Sequence, residues 1–314
     1  MRVQFYISAL YELEHYLGLA ELLDANRFHI SFAADERILG ARGSSQFDLK
    51  KINKILNSFG YELFNVDESS DIAITTRPTM ALYRYDNIKL LLKYGVGLVK
   101  DIPIKRMISN KLFDGYLVHG NYEKNIFKEI GIEESCIYTV GLPKLIIEKK
   151  LESYFKKRHN DTINLLYMST WLGLGGFETI VQNLAKFNSH ISVVIKTHHH
   201  QEERMESLFN TRIITGGPLF QNYTLFQNAN IVVVDARSGV APESLHYKNK
   251  KIIYFIPGIE NKVFFQNFIF SIAKVCYSFE EIQDEILNYN PSDYIDKPYS
   301  PWLNFFYSDN YLAY

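Results

Sequence analysis

Short apolar runs alternate along this chain with longer amphipathic stretches, and the alternation restarts half-way. In the first half the runs are Val3–Ser8, Phe28–Phe32, Ile72–Thr75, Lys89–Lys93, Gly115–Val118 and Ile137–Val140. In the second they are Ile163–Met168, Ile191–Ile195, Ile213–Ile214, Ile231–Val234 and Ile252–Phe255. Between them lie segments with helical spacing: Gly18–Leu23, Leu49–Phe59, Tyr122–Ile130, Phe177–Phe187, Tyr223–Gln227 and Ala241–Tyr247. Asn121 is read as the cap of the third helix and Gly131 as its stop. Strands that alternate with helices form parallel sheets covered on both faces. The expected class is therefore α/β, with two Rossmann-like domains. No repeat of solenoid length interrupts this pattern.

The 314 residues suffice for two domains of roughly 150 each. Lys144, Lys149, Lys150, Lys156, Lys157 and Arg158 crowd the segment between the halves. The expected domains are residues 1–150 and 151–298, with an aromatic tail, 299–314, packing back across the hinge. The basic segment has two readings: a solvated helix and hinge, or a patch meeting anionic lipid or a polyanionic acceptor. A formal net charge of −1 argues against a nucleic-acid-coating protein. Cys136 and Cys276 have no metal-ligand spacing and suggest a reducing compartment. The amino terminus is not a signal peptide, and no 18-residue apolar stretch exists. The expected location is the cytoplasm, free or peripheral at the inner face of the membrane.

Ligands of open parallel sheets gather at the carboxyl ends of the strands, and the unusual polar residues fall there. Asp235, Ser238 and Gly239 lie between Ile231–Val234 and the expected helix Ala241–Tyr247. A helix start there offers free N–H groups to a phosphate, and Ser238 adds a hydroxyl; the alternative is an ordinary cap with a tight turn. Glu243 can accept from ribose hydroxyls, and Asp235 either holds the loop or orients a substrate hydroxyl. Lys196-Thr197 precede His198, His199 and His200. Neighbours in an extended segment alternate in direction, which argues against a metal site of all three histidines; His198 or His200 is read either as pointing into the cleft beside Lys196 or as part of an exposed, idle loop. The glycine-rich Ser169–Phe177 matches neither GxGxxG nor a Walker loop. In the first half, His15, Tyr94, Gly95, His119, Tyr122 and Glu123 are candidates.

The run KTHHH, then Thr215-Gly216-Gly217, then VVVDARSGVAPESLHYKNKKIIYF resembles the CDP-glycerol glycerophosphotransferase family, the teichoic-acid-type polymer transferases of GT-B architecture. Lys196-Thr197-His198-His199 is similar to that family's Lys-Pro-His-Pro segment, and Asp235-Ala236-Arg237-Ser238 to its Asp-Tyr-Ser-Ser. LYMSTW (166–171) resembles its Ala-Pro-Thr-Trp, and residues 121–144 its segment ending in a Gly-Tyr-Pro turn. The resemblance covers residues 90–260. It implies two domains facing across a cleft, and transfer of a glycosyl or polyol-phosphate group from a CDP-, CMP- or UDP-linked donor. The implied acceptor is a cell-surface polysaccharide, teichoic-acid-like or lipid-linked molecule. The donor set would be Lys196, Thr170, Gly216, Arg237, Ser238, Gly239 and Glu243, and the catalytic set His198, Asp235, His119 and His15. No metal and no separate cofactor is implied. Tyr94-Gly95 stands where the family has His-Gly, so the base lies elsewhere or the reaction differs. Two other readings remain: an epimerase of the UDP-N-acetylglucosamine 2-epimerase type, and a non-catalytic nucleotide-binding partner of a transferase.

Overall fold

A computed structural model describes residues 1–34, 48–65, 70–77, 88–93, 113–151, 163–168, 183–184, 191–197, 213–214, 221–235, 238–256 and 273–294. The chain forms two compact units, each built on its own parallel sheet. The α/β class and the two parallel sheets agree with the sequence reading.

The first unit holds β1 (Arg2–Ile7), β2 (His29–Ala34), β3 (Leu63–Asn65), β4 (Ile72–Thr75), β5 (Ile88–Leu92), β6 (Gly115–Val118) and β7 (Ile137–Thr139). Their order is β3-β2-β1-β4-β5-β6-β7, every pairing parallel. The helices are α1 (Leu13–Ala25), α2 (Leu49–Ser58), α3 (Asn121–Glu129) and α4 (Lys144–Leu151). One face of β1 presents Phe5, which meets Phe32 and the α1 residue Tyr16 at ring separations of 5.2 Å. The other presents Tyr6 to a cluster with Leu91, Tyr116, Val118, Phe127 and Ile137. Each fully buried side chain of this size contributes about 1.5–3 kcal/mol. Asp48 starts α2 by accepting from the amides of Lys50 and Lys51 at 2.9 and 3.1 Å.

Three local expectations need correction. Helix α1 begins five residues before the predicted Gly18, because the polar His15 is buried and masks the apolar face. Gly120, not Asn121, caps α3, and the Glu123 carboxylate reaches back to the His119 amide at 2.9 Å, so no asparagine cap is needed. The described part of the basic segment, α4, is not a solvated helix. Leu145, Ile147, Glu148 and Lys144 are buried, and α4 packs against α1. The approach is close: a Cβ on Gly18 would stand 1.9 Å from the Pro143 carbonyl oxygen. Lys150 remains exposed and pairs with Glu21.

The second unit holds β8 (Ile163–Met168), β9 (Ile191–Lys196), β10 (Ile213–Ile214), β11 (Ile231–Asp235), β12 (Lys251–Phe255) and β13 (Lys274–Cys276), in the order β10-β9-β8-β11-β12-β13. Its helices are α5 (Gln221–Asn228), α6 (Val240–Glu243) and α7 (Phe279–Leu287). One face packs Leu165, Tyr167, Val193, Ile195 and Val233 against Ile282 and Ile286 of α7. The other packs Met168, Val232 and Val234 against Tyr223 and Phe226 of α5. Of the expected helix over 177–187, residues 183–184 are described and are helical. The tail, 299–314, lies outside the described residues.

Candidate functional site

Each sheet reverses its strand order once, between β1 and β4 in the first and between β8 and β11 in the second. Such a reversal leaves a crevice at the carboxyl ends of the strands where ligands settle. In the second sheet, Lys196 and Val234 both pair with Met168, so β9 and β11 flank the end of β8. The Lys196 ammonium donates to Asn222 of α5 at 2.5 Å. Thr197, 3% exposed, carries a hydroxyl with no hydrogen-bond partner. Asp235 ends β11 at 6% exposure. Its charge adds to burial in raising the Tyr167 phenol above its ordinary range.

The amide of Ser238 donates to the Asp235 carbonyl at 2.9 Å, and the Ser238 hydroxyl accepts from the Val240 amide at 3.3 Å. Gly239 caps α6 with ordinary helical angles. After four residues α6 passes into a 3-10 turn, Ser244–His246, in place of the expected helix Ala241–Tyr247. The Ala241 carbonyl, held by Tyr254 Oη at 2.9 Å and Ser244 Oγ at 2.5 Å, pins this turn to β12. One helical turn carries little macrodipole. An anion at this edge would therefore meet side chains more than a helix dipole. Glu243 is buried in the same turn.

The first sheet's crevice is bridged from within. Glu12 accepts from the Ser8 amide at 2.7 Å, the Ser8 hydroxyl at 2.6 Å, the Ala9 amide at 3.1 Å and the Thr76 hydroxyl at 2.6 Å. Arg77 Nε stands 3.5 Å from the same carboxylate. Tyr16 Oη donates to the Tyr6 carbonyl and accepts from the Thr76 amide, both at 2.9 Å. Burial raises the Glu12 carboxyl above its usual range, against the opposing pull of the Ser8, Thr76 and Ala9 hydrogen bonds. Nearby, Glu123 Oε2 meets His119 Nδ1 at 2.8 Å, and the His15 and His119 rings stand edge to face at 5.9 Å. Burial disfavours the Glu123 charge, but His119 and Lys93 outweigh it and hold the carboxyl below the usual range. Burial, then Lys144, then His119 push His15 well below an ordinary histidine. His15 is thus a neutral imidazole, and its Nδ1 has no hydrogen-bond partner.

No family model matches this sequence, and no curated protein does. Solved structures do. A protein from Listeria monocytogenes assigned as a UDP-N-acetylglucosamine 2-epimerase superposes with a TM-score of 0.66 at 14% identity, over 100% of this chain and 95% of that one. A variant of the wall teichoic acid polymerase TagF gives 0.65 at 10% identity, over 98% of this chain and 84% of that one. The fold is of the GT-B type. The UDP-GlcNAc 2-epimerase of Neisseria meningitidis, solved with UDP-GlcNAc bound, gives 0.59 at 14% identity, over 97% and 96% of the two chains.

Within this GT-B chain the predicted residues divide in two. Lys196, Asp235, Ser238, Gly239 and Glu243 belong to the switch-point edge of the second sheet, and His15 and His119 form a separate buried pair in the first unit. Tyr94, Gly95, Thr170, His198, Gly216 and Arg237 lie outside the described residues. Sequence reasoning missed Glu12, Tyr16, Thr76 and Asn222. Glu12 accepts from the Ala9 amide, but alanine has no side-chain acceptor, so no capping-box signature announced it. Nothing in the sequence marked the others. Among the described residues, no three histidine, cysteine or acidic side chains are grouped to hold a metal ion.

Proposed function

We propose that this chain is a transferase that moves a glycosyl or polyol-phosphate group from a CDP-, CMP- or UDP-linked donor to a hydroxyl of an acceptor. The acceptor class would be a cell-surface polysaccharide, teichoic-acid-like or lipid-linked molecule. The reading rests on the switch-point edge of the second sheet, where the Lys196 ammonium, the unpartnered Thr197 hydroxyl and the Ser238 turn adjoin one strand end. The leaving nucleotide gains negative charge as its bond to the transferred group breaks, and a cation fixed beforehand by Asn222 stabilises that charge without reorganising. The first sheet is the poorer donor site, because Glu12 already fills its crevice with a carboxylate that repels phosphate. That unit offers the His119 imidazole to an acceptor proton, with Glu123 fixing its orientation; His15, whose basicity burial depresses, is the poorer base. His198 and Arg237 join the donor side through the family resemblance.

A thermal-shift screen with UDP, CDP, CMP and GDP tests the donor reading. A nucleotide at 100 times its Kd stabilises the folded chain by about 2.7 kcal/mol, and a cytidine or uridine nucleotide is expected to do so. Ser238→Asp should abolish the shift by placing a carboxylate beside the phosphates. Conversion of a UDP-sugar with no acceptor present would identify an epimerase instead. Nucleotide binding without turnover over a broad acceptor panel would identify a non-catalytic partner.

A further inference from the structure

The switch-point edge of the second sheet has two faces with opposite chemistry. Side chains two residues apart along a strand share a face. Ile195, Tyr167 and Val233 lie in one core cluster, so Thr197 and Asp235 continue that face at the crest of the sheet. Lys196 points to the other face, toward Asn222 of α5. The register sets the spacing. Lys196 and Val234 pair with the same residue, Met168, so Thr197 and Asp235 each stand one residue beyond one common row. Two strand spacings separate them, about 10 Å. Their face carries an acceptor, the Asp235 carboxylate, and a hydroxyl that has no partner although Thr197 is 97% buried, since it is 3% exposed. Proximity of the carboxylate to this face is visible in its effect on the Tyr167 phenol below.

A phosphate does not suit a position facing Asp235. A neutral, hydroxyl-rich group does: it donates to the carboxylate and completes the threonine hydroxyl. One sugar ring or short polyol, with a hydrogen bond of about 2.8 Å at each end, reaches over a separation of about 10 Å. We propose that Thr197 and Asp235 form a seat for the hydroxyls of a sugar or polyol carried by the nucleotide ligand. The Lys196 face is left for its phosphates. This rests on the donor reading above and divides that site into a neutral and a charged half. The hydroxyls come either from the ribose or from the transferred group, and both present the same chemistry to these two side chains.

Calorimetric titration of the full chain and of Thr197→Val and Asp235→Asn tests this, using UDP, CDP, dUDP, UDP-glucose and CDP-glycerol as probes. Each variant is expected to weaken about tenfold the probes whose hydroxyls fill the seat, the size of one lost hydrogen bond. The valine is isosteric and removes a buried orphan hydroxyl, so the thermal midpoint of unliganded Thr197→Val should hold or rise. If the ribose fills the seat, the wild-type chain prefers UDP to dUDP and both variants lose that preference. If the transferred group fills it, UDP and dUDP bind alike, while UDP-glucose or CDP-glycerol outbinds its parent nucleotide in the wild type alone. Unchanged affinities in both variants would overturn the seat and leave the donor reading standing. A lower midpoint for Thr197→Val would overturn it too, because the hydroxyl would then have a structural partner. No nucleotide binding by the wild-type chain would overturn the donor reading and the seat with it.

Discussion

Replacing Gly18 with alanine sets two effects of opposite sign against each other. In a free helix the change stabilises by about 0.5–1 kcal/mol, because glycine gives up more backbone entropy on folding. Here the added Cβ would lie 1.9 Å from the Pro143 carbonyl oxygen, 2.3 Å from its carbon and 3.0 Å from the Lys144 nitrogen. A relaxed carbon–oxygen contact needs about 3.3 Å, so α1 and the entry to α4 must part by roughly 1.4 Å. Both are backbone, so no side chain can swing aside. A gap of this size forfeits half or more of each dispersion contact across the seam, and the two packed segments carry the buried Leu17, Ala20, Leu142, Leu145 and Ile147. The Pro143 carbonyl also accepts from the Ile146 amide at 3.0 Å in the first turn of α4. Its displacement strains that bond, worth about 0.5–1.5 kcal/mol. With overpacking costs of about 1–3 kcal/mol, the net destabilisation should be about 2–4 kcal/mol. Urea unfolding, with hydrogen exchange of the α1 and α4 amides to localise the loss, measures it. A stabilised Gly18→Ala would refute the close approach of α1 to Pro143.

His15 should make the fold acid-sensitive. The folded chain keeps it neutral, whereas the unfolded chain binds a proton at about pH 6.5. Stability is therefore full above that pH and falls as pH drops below it, by at most about 1.4 kcal/mol per pH unit. Urea midpoints between pH 7.5 and 5 should show this slope in the wild type and a flatter one in His15→Leu; equal slopes would refute the assignment. Glu123, held below the ordinary carboxylate range, adds a further loss only as pH falls through the acid range of carboxylates. Glu12→Ala strips the acceptor from two amides and two hydroxyls at the β1 and β4 ends. At about 1–3 kcal/mol per orphaned buried group, and with incomplete additivity, the loss should reach about 3–5 kcal/mol by chemical denaturation. Glu12→Gln should lose less, and equal losses would show that the hydrogen bonds are not what holds the turn.

Strands were the legible part of this chain. Ile72–Thr75, Gly115–Val118, Ile163–Met168 and Ile213–Ile214 agree with the structure residue for residue, because strands covered on both faces read as unbroken apolar runs. The helices that carry buried charge were not legible in the same way. Lys144 and Glu148 advertise a solvated surface, yet α4 is part of the core, and His15 hid the first turns of α1. Periodicity counts polarity and cannot see a partner that is distant in sequence, as Thr76 is for Glu12 across 64 residues. At the candidate site, the placement of Lys196, Asp235 and Ser238 at strand ends followed from the sequence. The opposite facing of Thr197 and Lys196 required the register. The length of α6 misled, since Pro242 and Glu243 fit a helix start equally well whether one turn follows or several.

The central claim is that the switch-point edge of the second sheet holds the nucleotide of an activated donor. A crystal of the wild-type chain grown or soaked with UDP and CDP tests it most directly. The account predicts nucleotide density across the carboxyl ends of β9, β8 and β11, with the phosphates on the Lys196 side and the ribose or its substituent against Thr197 and Asp235. Density instead in the Glu12–Thr76 crevice of the first sheet, or none at saturating nucleotide, would contradict it.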